Sequence, residues 1–222
     1  MKKLIKGIAN FRKTKRAEYC NEFSDLALKQ SPDALLIACC DSRVAPNVFA
    51  STDPGDLLVL RNIGNLVPPY SDKENFTSET SVAATLEFSL YCLNVSDIII
   101  CGHSECGAMQ ALLEKNPRSD LPSYKRWLKN ALPSYERFKK TSLQSNLSPC
   151  NILSRINVLQ QLEHLKTYPE VSQRLQAGKL RIHGWWFDLV TANVFYYDSA
   201  REDFILIDEA EAEKMLLSLS DN

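Results

Sequence analysis

Two apolar runs of strand length that end abruptly in reactive side chains constrain this chain more than any other feature. The first is Leu35-Leu36-Ile37-Ala38-Cys39-Cys40-Asp41-Ser42-Arg43-Val44, which passes within two residues from aliphatic to thiol, carboxylate, hydroxyl and guanidinium. The second is Val95-Ser96-Asp97-Ile98-Ile99-Ile100-Cys101, followed directly by Gly102-His103-Ser104-Glu105-Cys106-Gly107. A buried strand that ends in polar groups delivers them to the carboxyl edge of a sheet, which is where open α/β folds bind ligands. Two such strands side by side would bring Cys39, His103 and Cys106 together.

The remaining pattern supports an α/β fold, with a mainly parallel central sheet flanked by helices. Residues 2–29 read as one proline-free helix, with apolar positions at Tyr19, Phe23, Leu26 and Ala27. Strands are expected at about 34–39, 57–60, 96–101 and 180–187, and an antiparallel pair at 194–197 and 204–207 closes the C-terminal part. Thr77 or Ser78 is expected to cap a helix whose stripe is Val82, Leu86, Leu90 and Leu93. Further helices are expected from near Glu105 to 115, over 122–143 with a break at Pro133, over 150–165, over 169–177 and over 209–218. Ser148-Pro149 supplies the cap and first turn of the 150–165 helix, with Ile152, Ile156, Leu159 and Leu162 as its buried face.

Composition bounds the function. A chain of 222 residues fits one domain, 1–222, with a full core. Its net charge of −1 gives no electrostatic case for nucleic acid, and the early basic residues read as the solvated face of an amphipathic helix. No window approaches the roughly 18 apolar residues of a membrane span. No signal-peptide pattern follows Met1-Lys2-Lys3, so the protein is expected to be cytoplasmic. Seven cysteines at irregular spacing then read as thiols or metal ligands rather than disulfides.

Two thiols and an imidazole suit Zn²⁺, and three protein ligands leave the fourth tetrahedral position open, the catalytic arrangement. Alternation along the extended chain puts Cys39, Asp41 and Arg43 on one side and Cys40 on the other, which selects Cys39 as the ligand. A free carboxylate beside zinc would close the site. Arg43 can hold Asp41 in a bidentate pair and leave it to orient zinc-bound water. Of the other histidines, His164 reads as a surface or packing residue on a helix, and His183 as a hydrogen-bonded core residue. Cys101 reads as buried, and Cys20, Cys92 and Cys150 carry no readable function.

Cys39-x-Asp41-Ser42-Arg43 with His103-x-x-Cys106 resembles the signature of the β-class carbonic anhydrases. Residues 30–108 are similar to that family almost throughout, including Arg61-Asn62-Ile63-Gly64-Asn65 and Gly102-His103-Ser104-x-Cys106-Gly107-Ala108, and His183-Gly184-Trp185 extends the likeness. The resemblance implies an N-terminal helical arm, about 1–30, wrapped on a partner subunit in a dimer or dimer of dimers. It implies one zinc per chain on Cys39, His103 and Cys106, with Asp41 and Arg43 as the catalytic dyad. Gln30 matches a glutamine that plant-type members extend from the neighbouring subunit towards substrate. Leu58, Ile63 and Phe88, with Gly107 of the second motif, match the carbon dioxide pocket, although plain core packing accounts for the apolar three equally.

One branch of the family builds a regulatory bicarbonate site from a tryptophan, an arginine and a tyrosine. Here those positions are Leu36, Arg61 and Phe187, which argues against that site. The implied activity is reversible hydration of carbon dioxide by zinc-bound hydroxide. A non-catalytic zinc or bicarbonate-binding protein, or a hydrolase of a carbon dioxide analogue such as carbon disulfide, are the alternatives. Two thiolates offset more of the ion's charge than neutral histidines would, so turnover is expected to rise with pH through neutrality.

Overall fold

The structure is a computed structural model that describes residues 1–71, 80–114, 120–141 and 146–220. The chain opens with α1 (Lys2–Thr14) and α2 (Arg16–Leu26), then β1 (Ala34–Cys39), the single turn α3 (Pro46–Phe49) and β2 (Leu57–Asn62). Next come α4 (Thr80–Glu87), a π turn at Phe88–Cys92, β3 (Asp97–His103), α5 (Gly107–Leu113), α6 (Pro122–Leu128) and α7 (Leu132–Lys140). The chain ends with α8 (Pro149–Lys166), α9 (Pro169–Gln176), β4 (Arg181–Phe187), β5 (Val194–Asp198), β6 (Asp203–Leu206) and α10 (Glu209–Ser220).

The strands form one sheet in the order β2-β1-β3-β4-β5-β6. β2, β1, β3 and β4 run parallel, and β5 and β6 extend the sheet antiparallel. Parallel strands must be covered on both faces, which is why β1 is an unbroken apolar run with all six residues buried. Leu35, Ile37, Ile98 and Ile100 point to one face and meet Leu86, Leu90, Val158, Leu165 and Val171. Leu36, Ala38, Ile99 and Cys101 alternate onto the other face with Val44 and Phe187. Truncating one of the fully buried residues, such as Ile100→Ala, costs about 2–5 kcal/mol.

After β1 the chain lays β2 on one side of it, then returns to lay β3 on the other. The crevice at the carboxyl ends of β1 and β3 is therefore the switch point of the sheet, where ligands bind in doubly wound folds. The register pairs Ala38 with Cys101, so Cys39 and His103 end adjacent strands. α8 crosses the sheet closely above this point. A Cβ added to Gly102 would lie 2.6 Å from Val158 Cγ2 and 3.3 Å from Ser154 Oγ, so only glycine fits.

Three sequence expectations change. The 2–29 helix breaks at Lys15, where φ is −115°, and ends at Leu26; in the turn before the break Thr14 Oγ1 donates to the Asn10 carbonyl at 2.8 Å, a bond that often accompanies bending. Neither α1 nor α2 buries a residue. The helix expected from Glu105 starts at Gly107, because Glu105 has φ 52°, a left-handed turn that no helix continues through. On α8 the deep face is not Ile152, Ile156, Leu159 and Leu162, which are half-buried; Leu153, Val158 and Leu165 lie deeper, together with Cys150, Ser154, Asn157, Gln161 and His164. His164 is buried, which agrees with the packing alternative and not the surface one. The expected cap at Thr77 or Ser78 lies outside the described residues. Among the described residues no helix is long and apolar enough to cross a membrane.

Candidate metal centre

β1 delivers the buried Cys39, β3 delivers His103 with no exposed surface, and the turn before α5 delivers Cys106. Their ligand atoms all lie within 4.8 Å of one another. Among the described residues they are the one such group of three, and Asp41 is not part of it. His103 Nδ1 donates to the Ser104 carbonyl at 2.8 Å, which fixes the ring and the tautomer. That leaves Nε2 buried without a partner, an expensive arrangement in a core.

The two thiols are unequal. The neighbouring Cys106, His103 and the Gly64 N–H at 3.4 Å bring the Cys39 thiol well down, against the opposing effect of burial. Keeping the proton pushes Cys106 well up, and burial adds to this. A cation held between the two sulfurs would take them as thiolates and release their protons. Two soft sulfurs and one orphaned imidazole nitrogen, all buried, fit zinc.

Asp41 faces this cluster from the turn after β1. Arg43 donates from Nε to Oδ1 at 3.0 Å, from Nη2 to Oδ2 at 2.8 Å and from its backbone to Oδ1 at 2.9 Å. These bonds hold the Asp41 carboxyl well below the usual carboxylate range, against partial burial. Arg43 Nη2 also reaches the Glu105 carbonyl at 3.2 Å, tying the Asp41–Arg43 pair to the loop that carries His103 and Cys106. Both carboxylate oxygens are thus committed to Arg43. Cys40 is exposed.

The remaining candidates are spread around this centre. Ile63 and Phe88 are 40% and 42% exposed, Gly107 is the exposed first residue of α5 with open space where a Cβ would be, and Leu58 packs against the main core. Gln30 is exposed in the segment between α2 and β1. Arg61 donates to the Cys39 carbonyl at 3.0 and 2.8 Å and to the Asp41 carbonyl at 2.7 Å, pinning the ligand turn. Leu36 is buried and Phe187 stacks on Phe49 at 4.7 Å, both within the second core face. His183 is half-buried and its Nε2 bonds to Asp97 Oδ1 at 2.8 Å, away from the cluster.

Sequence reading missed the residues that hold the loop after β2. Asn62 brackets Leu66, accepting from its N–H at 2.8 Å and donating to its carbonyl at 2.9 Å. Trp127 Nε1 donates to the Ile63 carbonyl at 2.7 Å. Gly64 sits at φ 77° within this loop, a conformation that favours glycine, and its N–H meets the Cys39 sulfur.

A carbonic anhydrase family model matches residues 34–194. A carbonic anhydrase of Pseudomonas aeruginosa is 35% identical over 209 residues, covering 94% of this chain and 93% of that protein. One from Helicobacter pylori is 30% identical over 214 residues, covering 94% and 96%. The solved structure of the β-carbonic anhydrase CcaA superposes with a TM-score of 0.84 at 35% identity, covering 93% of this chain and 98% of that one.

Proposed function

This chain belongs to the β-carbonic anhydrase family, and from that premise we propose that it hydrates carbon dioxide reversibly with one zinc held by Cys39, His103 and Cys106. The observation that carries the proposal is the buried, unpartnered His103 Nε2 facing two thiols, with Asp41 held back by Arg43. Zinc there supplies the means of turning water into a nucleophile near neutral pH.

The chain's own residues do the rest. Asp41, ionised and restrained, accepts a hydrogen bond and orients the attacking group. Arg43 keeps that carboxylate from taking the open position. Gly64 N–H stabilises the Cys39 thiolate. Leu58, Ile63, Phe88 and Gly107 are proposed to line the carbon dioxide pocket, with Gln30 reaching in from a second copy. The non-catalytic reading needs a fourth protein ligand, and Asp41, the nearest, has both oxygens engaged.

We assign the whole chain to one domain and place it in the cytoplasm as a dimer or dimer of dimers. Leu4, Ile5, Ile8 and Phe11 of α1 are all exposed, which supports covering of the arm by a second copy. An active monomer by light scattering at assay concentration would contradict that assembly. The function itself is tested by stopped-flow carbon dioxide hydration on protein of known zinc content, with carbon disulfide as a parallel substrate. Hydration far above background is expected, and full zinc loading with none, or turnover of carbon disulfide alone, would refute it.

A further inference from the structure

Five residues of α8, Cys150, Ser154, Asn157, Gln161 and His164, follow one another at alternating steps of four and three. That spacing defines a single stripe on a helix, which an ordinary core-facing helix fills with aliphatic side chains. Here all five are buried, at most 6% exposed, and four of the five are plainly polar.

Each meets the backbone of a segment that builds the metal centre. Cys150 Sγ donates to the Cys106 carbonyl at 3.5 Å. Ser154 Oγ donates to the His103 carbonyl at 2.7 Å and itself accepts from Trp186 Nε1 at 3.1 Å. Asn157 Nδ2 donates to the Gly64 carbonyl at 3.0 Å, on the residue whose N–H touches the Cys39 sulfur. Gln161 Oε1 accepts from Val67 N–H at 2.8 Å, and His164 Nδ1 donates to the Val67 carbonyl at 2.7 Å. Ser134 and Gln161 both donate to Asn157 Oδ1, at 2.9 and 3.0 Å, which settles which way that amide points. One helix thus holds the segment that carries His103 and Cys106 and the loop whose Gly64 N–H supports Cys39.

We propose that this stripe sets the geometry of the metal centre, with Ser154 and Asn157 as positioning residues: Ser154 acts through the His103 backbone, and Asn157 through Gly64 on the Cys39 thiolate. The inference rests on the zinc reading above. Groups of this kind, one bond removed from the ligands, change metal affinity on the order of ten- to a hundredfold when removed.

The test measures zinc loss to a chelator and the visible absorption spectrum of the Co²⁺-substituted protein, for wild type, Ser154→Ala, Asn157→Ala, Ser154→Thr and Leu159→Ala. Leu159 lies on the same helix, is half-buried and packs against the core away from the stripe. Ser154→Ala and Asn157→Ala are expected to speed zinc loss on the order of ten- to a hundredfold and to shift the Co²⁺ bands. Ser154→Thr, which keeps the hydroxyl, is expected to restore both, and Leu159→Ala to lower thermal stability while moving neither. Unchanged zinc loss and bands in both alanine variants would overturn the proposal, as would the same changes in Leu159→Ala. Wild type that takes up no zinc would instead overturn the zinc reading, and this inference with it.

Discussion

The same sheet carries two nearly identical ion pairs at its opposite ends. At the carboxyl end Arg43 grips Asp41 at 2.8 and 3.0 Å; at the amino end Arg181 grips Asp97 at 2.7 and 2.8 Å. The aspartates are 17% and 18% exposed and the arginines 54% and 51%. Both carboxylates are held below their ordinary range, Asp41 chiefly by Arg43, while for Asp97 burial is the largest single effect and opposes this but is outweighed by Arg181, Ser96 and His183 together. Each end also has a histidine. The difference lies in what is left over. His183 spends Nε2 on Asp97, whereas His103 leaves Nε2 buried and unpaired beside two thiols. An ion pair alone is a staple between β3 and β4. The same pair beside an orphaned imidazole nitrogen and two thiols is, on the function proposed above, a restraint on the carboxylate.

Substitutions can break this comparison. Cys39→Ser should have the largest effect, taking carbon dioxide hydration to the uncatalysed rate together with zinc; stopped-flow rates beside metal analysis check this. Arg43→Ala comes next, with a loss above about 10²-fold, because the released Asp41 can then reach the open position. A crystal structure of that variant with zinc should show Asp41 displaced towards the ligands, and an open site with unchanged turnover would show that the dyad lacks this role. Asp41→Asn should cost about 10²-fold while zinc content stays at one per chain.

At the other end Arg181→Ala should leave turnover intact and lower stability by only about 0–1 kcal/mol, as a half-exposed pair does. The smallest effect concerns pH. A carboxylate whose folded pKa is depressed contributes stability above its unfolded pKa, near 3.9, and loses it as pH falls towards the folded value. The melting-temperature gap between wild type and Asp97→Asn should therefore be full at pH 7 and shrink below about pH 4. A gap that stays constant would mean that Asp97 does not stabilise the sheet as a charge.

Much of this was legible in the sequence, for a physical reason. β1 and β3 are buried on both faces, so Leu35–Ala38 and Ile98–Cys101 read as plain apolar runs, and the polar residues that interrupt them stand out. The antiparallel closure through β5 and β6 was equally visible. α8 was misread because its deep face mixes Leu153, Val158 and Leu165 with polar side chains: Ser154, Asn157 and Gln161 are buried with hydrogen bonds to backbone, which no periodicity of hydrophobic residues reveals. Glu105 gave no sign of its left-handed turn, because glutamate there is held by Asn151, far along the chain, which accepts from its N–H at 2.8 Å. A buried stripe of amide and hydroxyl residues opposite a metal-ligand loop is the signal that would have found the helix's role.

The contrast between the two histidines is tested most directly by counting zinc. Wild type and His183→Ala, each confirmed as folded by circular dichroism, should carry one zinc per chain, and His103→Ala should carry none. Zinc retained at full occupancy by His103→Ala, or lost from folded His183→Ala, would contradict the assignment of the carboxyl end of the sheet as the metal centre.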